Sequence, residues 1–298
     1  MENNSRKKIF LTGGSGFIGR NLLEELGEKY EFVAPSEKEL DLTNAEAVYN
    51  FLEKEKVDMV IHTANVGGVR GKEEPSNALS TNLKMFFNLV RAKPFYQRMI
   101  MFGSGAEYDK RRPIVKIKED DFDKYVPQDE YGFCKYICSK YADKTDFITH
   151  VRLFGVYGKY EQYRTRFISN AICRVLCDLP ISINQNVFFD YICIKDLVGA
   201  IDCFIDNQPR HKFYNIGTGI KIDLPTIAKK ILDISNKDLL IVIKNSGLNK
   251  EYTCDVSRFL SEFPDFRYTS FEESLKELFD YYKSLSPKIN KESLLIDE

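Results

Sequence analysis

Short runs of Ile, Val and Phe recur through the first half of the chain, most of them followed by an amphipathic stretch long enough for a helix. KKIFLT precedes residues 17–26, YEFVA precedes 45–55, VDMVIHTA precedes 77–91 and RMIMFGS precedes 130–143; DFITHVRLF is a fifth run. Runs this short and this continuous in apolar residues fit strands covered on both faces, and helices on either side of a parallel sheet supply that cover. The rhythm predicts an α/β fold with a doubly wound parallel sheet, and places a ligand at the carboxyl ends of the strands, where strand order reverses. Beyond Gly158 it loosens. Residues 165–177 read as a helix, ISIN as a short strand and FFDYICI as a strand leading into a helix at 196–206; FYNIGTG, a helix from Leu224, LLIVI and a last helix at 271–284 follow. That mixture predicts a smaller C-terminal α+β lobe, with the division at 1–158 and 159–298 and some strand and helix crossover between the two. No internal repeat or low-complexity linker is visible, and the charged tail, 286–298, reads as a solvated end.

The first run leads into LTGGSGFIGR, which holds four glycines between Gly13 and Gly19. After a strand, glycines at 13, 16 and 19 permit a tight turn, a close approach of backbone to a pyrophosphate, and close packing of the helix on the sheet. The helix N-terminus then offers unpaired N–H groups and a favourable dipole to an anion. An ordinary turn can carry the same glycines. The position of this one, after the first strand and opening an amphipathic helix, predicts a dinucleotide loop formed by Gly13, Ser15, Gly16, Phe17, Ile18 and Gly19 in a Rossmann-type domain. A second pattern, YGFCK, sets Tyr131 and Lys135 at i and i+4, on one face of a helix about 5–6 Å apart, where an ammonium can make a phenol a usable proton carrier. Alone, the pair reads rather as an exposed feature of an amphipathic helix.

Charge and cysteine usage exclude several alternatives. The 43 Lys and Arg nearly cancel the 44 Asp and Glu, which removes the electrostatic case for nucleic acid or an anionic membrane as main partner. No apolar run reaches the roughly 18 residues of a membrane helix, and the polar start carries no apolar segment of signal-peptide length, so a cytoplasmic protein is expected. Seven cysteines are scattered without a CxxC pair and read as buried reduced thiols. Three isolated histidines make no metal site, and none is expected.

Taken in order, TGGSGFIG, ELDLTN, VIHTAN, TNLKMFFNLVRA, MFGSGAEY, YGFCK, RLFGVYGKY, DYICIKDLVGAI, YNIGTG and DVSRFL followed by TSFEESLKEL resemble the extended short-chain dehydrogenase/reductase family of nucleotide-sugar epimerases, dehydratases and reductases. The resemblance spans nearly all of 8–282. It implies catalytic roles for Ser104, Tyr131 and Lys135: Tyr131 protonates the alkoxide formed at a keto carbon, Ser104 hydrogen-bonds the same oxygen, and Lys135 binds the nicotinamide ribose. It further implies that Asp41 and Leu42 lie near the adenine, and that Thr63, Ala64 and Asn82 line the cofactor's path. For Asp41 a helix N-cap region shared with Thr43 and Glu46 is the competing reading.

Members of the family differ between Ser104 and Tyr108. Dehydratases carry an Asp–Glu pair where this chain has Gly105 and Ala106. The chain is also similar to the GDP-fucose synthase branch, through ELDLTNAEAVYNFLEKEKVD and the stretch Asn65, Val66, Gly67 and Gly68, but Ala106 falls at that branch's cysteine and Arg166 at its histidine. With dehydration and 3,5-epimerisation both disfavoured, the resemblance implies reduction of a 4-keto group on a nucleotide-linked sugar. A nucleotide-sugar 4-epimerase with tightly bound NAD is the first alternative, and a non-catalytic cofactor-binding regulator the second. The second run ends in VAPSEKELDL, without an acidic residue at the strand end to hold an NAD ribose 2′-hydroxyl, while Ser36, Lys38 and Arg20 could meet a 2′-phosphate, so NADP is favoured and NAD stays possible. Gly155 and Phe189 replace an Asn and an Arg that contact the nucleotide sugar in many relatives. The substrate is therefore expected to meet Asn65, Gly105, Ala106, Arg164, Arg166 and Arg174, with Lys221 as a further candidate cation and Arg152 as a structural tether. A homodimer through the YGFCK helix and its predecessor, and a place in polysaccharide biosynthesis, complete what the resemblance implies.

Overall fold

Residues 9–12 and 59–62 are buried along their whole length, as strands covered by helices on both faces must be. The structure, a computed structural model, describes residues 6–68 and 73–295. Its first half runs β1 (Lys8–Thr12), α1 (Phe17–Leu26), β2 (Glu31–Val33), α2 (Ala45–Glu55), β3 (Met59–His62), α3 (Ala78–Arg91), β4 (Arg98–Ser104), β5 (Ile114–Ile117), α4 (Glu130–Asp143), β6 (Ile148–Leu153) and β7 (Gly155–Tyr157). Its second half runs α5 (Phe167–Leu176), β8 (Ile181–Asn186), β9 (Phe188–Cys193), α6 (Ile194–Asp206), β10 (Phe213–Ile216), β11 (Lys221–Asp223), α7 (Leu224–Ser235), β12 (Ile241–Leu248), β13 (Tyr252–Cys254), α8 (Ser257–Glu262), α9 (Phe271–Ser284) and α10 (Glu292–Leu295).

The main sheet has the order β2-β1-β3-β4-β6-β10, with every pairing parallel. Alternation along each strand feeds two cores. Ile9, Leu11, Met59, Ile61, Ile100 and Phe102 pack with α1, α6 and Phe259 on one face. Phe10, Val60, Met99 and Met101 pack with α2, α3 and α4 on the other. Each fully buried side chain of this size contributes about 1.5–3 kcal/mol. β1 connects outward to β2 on one side while β3 lies on the other, so strand order reverses between β1 and β3.

Two elements from beyond residue 158 join this half: β10 pairs with β6 at the sheet edge, and α6 packs on α1. In the opposite sense, β5 pairs with β13, and β13 with β9, in a mixed sheet of order β11-β9-β13-β5, with β7 also on β9. A third core, built from α5, α7, α9 and the β8–β12 pair, closes the smaller lobe. Among the described residues, no helix is long and apolar enough to cross a membrane.

Candidate active site

The glycine loop lies where strand order reverses. Gly13 has φ +73°, and a Cβ there would lie 2.7 Å from Thr63 Oγ1 and 2.8 Å from the Ala64 nitrogen, so no other residue fits between the ends of β1 and β3. Those ends are fastened together: Thr63 Oγ1 donates to the Thr12 carbonyl at 2.7 Å, and Thr12 Oγ1 meets His62 Nδ1 at 2.8 Å. Burial pushes the His62 imidazole down to about 3, which leaves it neutral. Gly16 caps α1 without any side-chain hydrogen bond to the helix N–H groups, so the first turn opens toward Gly13–Gly16 unsatisfied. That cradle fits a pyrophosphate, with Ser15 exposed at its rim and Phe17 and Ile18 turned to the main cavity.

Ser104 ends β4, and its hydroxyl oxygen accepts the Ala106 N–H at 3.2 Å, which leaves the hydroxyl proton free to point elsewhere. Tyr131 and Lys135 stand on α4, whose first turn is capped by Asp129 through the Gly132 N–H at 2.9 Å. Lys135 Nζ is buried against the Phe102 carbonyl at 3.1 Å and lies 5.9 Å from the centre of the Tyr131 ring. Behind them runs a buried polar network. Glu107 accepts from the Ser104 N–H at 2.9 Å and from Arg152 Nε at 2.7 Å, and meets His150 Nε2 at 2.9 Å. Arg152 reaches on to Ser139 of α4 at 2.7 Å and to the Tyr108 hydroxyl at 3.2 Å. Burial alone would push the Glu107 carboxyl up, but His150 and Arg152 beside it hold it at about 2. Burial pushes the His150 imidazole down against the pull of Glu107. An ionised carboxylate thus faces a permanent guanidinium, and Arg152 tethers Ser104's loop and α4 to the sheet.

Ser104, Ala106 and Tyr131 open onto a cavity of about 780 Å³ whose wall also includes Arg166, Lys110, Arg112, Lys250, Glu161 and Tyr252. Of the arginines expected at the substrate, Arg166 lines this cavity at the N-terminus of α5. Arg174 does not: it is buried one helix length away, with Nε on the Pro180 carbonyl and Nη1 on the Leu294 carbonyl, so it fastens the chain end. Arg164 is exposed outside the cavity wall, and Lys221 pairs with Glu251 at 3.3 Å.

Other expected contacts also have different work. Asn82 accepts the Val66 N–H and donates to the Val66 carbonyl, at 2.8 Å each, and so braces the loop after β3. The Asn65 amide folds back onto the carbonyls of Val66 and Gly67. Asp41 accepts the Thr43 N–H and hydroxyl at 2.8 and 2.7 Å, while Asn44 is the N-cap of α2 and Leu42 lies half-buried against the core under that helix. Arg20 sits 3.7 Å over the Tyr160 ring. In the loop after β2 Ser36 donates its N–H and hydroxyl to Glu39, which brings a carboxylate onto Ser36 beside exposed Lys38.

The cavity also holds residues that carried no signal in the sequence. Lys110 and Arg112 belong to a basic run directly after MFGSGAEY, which could have pointed to them. Lys250 and Tyr252 come from β13 and the residue run before it, and Glu161 from the turn after β7; only the fold brings them here.

The model of the NAD dependent epimerase/dehydratase family matches residues 9–217. The chain is 36% identical to GDP-L-colitose synthase of Yersinia pseudotuberculosis over 92% of its own length and 97% of that protein's. It is 27% identical to GDP-6-deoxy-D-talose 4-dehydrogenase of Aggregatibacter actinomycetemcomitans, over 91% of this chain and 97% of that one. A GDP-L-fucose synthetase from Naegleria fowleri, solved bound to NADP, superposes with a TM-score of 0.84 at 17% identity, covering 98% of this chain and 97% of that one.

Proposed function

The chain belongs to the NAD dependent epimerase/dehydratase family, and we propose that it reduces the 4-keto group of a GDP-linked deoxysugar with NADPH as the favoured reductant. The observation that carries this reading is that Ser104 and Tyr131, from two elements, line one cavity together with Phe17 and Ile18 of the glycine loop, with Lys135 one helical turn behind Tyr131. The names of the three relatives above, each a GDP-sugar enzyme, support the nucleotide.

In this reading the loop at Gly13–Gly19 and the open first turn of α1 hold the dinucleotide pyrophosphate, and Lys135 holds its ribose. The bound nicotinamide supplies the hydride. The chain supplies the rest: Ser104, its oxygen already fixed by the Ala106 N–H, points its proton at the keto oxygen, and Tyr131 gives up a proton as negative charge develops there. The ketone gains hydride on carbon and a proton on oxygen; solvent reprotonates Tyr131. Arg166, Lys110, Arg112 and Lys250 on the cavity wall take the sugar diphosphate in place of the residues missing at 155 and 189. Ser36 and Lys38 take the 2′-phosphate once Glu39 gives way.

The test is oxidation of NADPH and of NADH, followed optically, with GDP-linked and dTDP-linked 4-keto-6-deoxyhexoses. Wild-type protein is expected to oxidise NADPH with the GDP sugar, and Tyr131→Phe to lose at least ~100-fold in turnover. Release of NAD on denaturation, with no NADPH consumed by any keto sugar, would instead establish an epimerase.

A further inference from the structure

Position 105 has no side chain, yet the space beside it is filled. A Cβ on Gly105 would collide with the Tyr252 hydroxyl, lie 2.8 Å from that ring's Cζ and lie 2.9 Å from Phe154. The ring is clamped between Phe154 and Phe189, with centroids 4.9 and 5.8 Å away. Its hydroxyl has the Ser104 side chain as hydrogen-bonding neighbour and lies within electrostatic range of Tyr131, and all three residues line the same cavity. Ser104 Oγ accepts the Ala106 N–H, which leaves its proton free to rotate from the Tyr252 hydroxyl to the keto oxygen when a ketone is bound. The Tyr252 hydroxyl, on the cavity wall, can offer its own proton to a ligand there.

We propose that Tyr252 is a third catalytic hydroxyl, brought in from the other lobe to the place a side chain at 105 would occupy, donating to the same keto oxygen as Ser104 and Tyr131. The proposal rests on the ketoreductase reading above and deepens it. A ketone oxygen accepts two hydrogen bonds comfortably, whereas the alkoxide into which it turns accepts three, so a fixed third donor acts most strongly as charge develops. Burial pushes the Tyr252 phenol far above its ordinary range, so it serves as donor and not as base. Tyr131 remains the group that transfers the proton, and Tyr252 keeps its own. The arrangement also gives Gly105 a purpose: it is the residue that admits Tyr252.

The test compares Tyr252→Phe with Tyr131→Phe, using NADPH and a GDP-linked 4-keto-6-deoxyhexose, with NADPH binding and melting temperature measured alongside. Tyr252→Phe retains the ring and its two aromatic neighbours. We expect kcat to fall 10²- to 10³-fold while KM moves less than about threefold, with NADPH affinity and melting temperature unchanged. Gly105→Ala, which crowds the same ring, is expected to lower kcat with Tyr252 intact. A Tyr252→Phe enzyme that keeps kcat within threefold of wild type, or that changes KM alone, overturns the third-donor role. If Tyr131→Phe is also fully active, or no keto sugar consumes NADPH, it is the ketoreductase reading that has failed.

Discussion

Arg152 and Glu107 form an ion pair with no exposed atom on either side, 2.7 Å from Nε to Oε2, directly behind the hydroxyl of Ser104. A pair buried so deeply is costly to break from one side, because the surviving charge loses both water and partner. We expect Glu107→Ala to lose about 3–5 kcal/mol of stability in denaturant melts. The carboxyl ionises at about 2 in the fold against an ordinary value of 4.5, so its contribution is present above pH 4.5 and is lost as pH falls from there toward 2. A Glu107→Gln melt series that kept the full wild-type acid dependence would contradict this assignment.

Glu161 has the opposite sign. Burial pushes its carboxyl up to about 7, with the Ser169 hydroxyl at 2.6 Å opposing only in part. A carboxyl raised in the fold favours the folded state below pH 4.5, and that contribution is lost as pH rises through 7. Glu161→Gln is therefore expected to narrow the stability difference between pH 5 and pH 8, by an amount on the order of 3 kcal/mol. Thermal melts of both proteins at the two pH values decide it.

Glu39 and Lys38 make opposite demands on the cofactor. Glu39 occupies the Ser36 hydroxyl and N–H that a 2′-phosphate would use. We expect Lys38→Ala to weaken NADPH roughly 5- to 10-fold and NADH hardly at all, and Glu39→Gln to tighten NADPH selectively. Titration calorimetry with both dinucleotides reads this directly; equal effects on the two would remove the case for NADPH.

Arg166 and Arg174 separate binding from folding within one helix. Arg166→Ala is expected to raise KM for a GDP-sugar about 10-fold or more without shifting the melting temperature. Arg174→Ala strips the buried Leu294 carbonyl and the half-buried Pro180 carbonyl of their donor and is expected to lower the melting temperature while leaving KM alone.

Much of the architecture was legible because it is written in period and spacing. Ile9 and Leu11 on one face with Phe10 on the other is a strand's alternation, and the glycines at 16 and 19 are demanded by contacts with Gly13 and Gly14 within the turn itself. What escaped depends on partners distant in the chain. Asn82 looks available until Val66 is seen to take its whole amide, and Arg174 until the carbonyl of Leu294 arrives from the far end. The absence of an acid at 105 suggested lost chemistry; nothing local signals that Tyr252 fills the gap. Glu39 hid for a simpler reason, since only a turn of the loop carries it back to Ser36.

The pairing of β10 with β6 also constrains how the protein is made. The dinucleotide half is not a contiguous stretch of chain, since its last strand is translated only after much of the other lobe. Until Ile216 has emerged from the ribosome, the edge of β6 carries unpaired N–H and C=O groups, open to any passing strand. The first half of the chain is thus obliged to wait for the second to complete its sheet, and neither is expected to survive being cut from the other at residue 158.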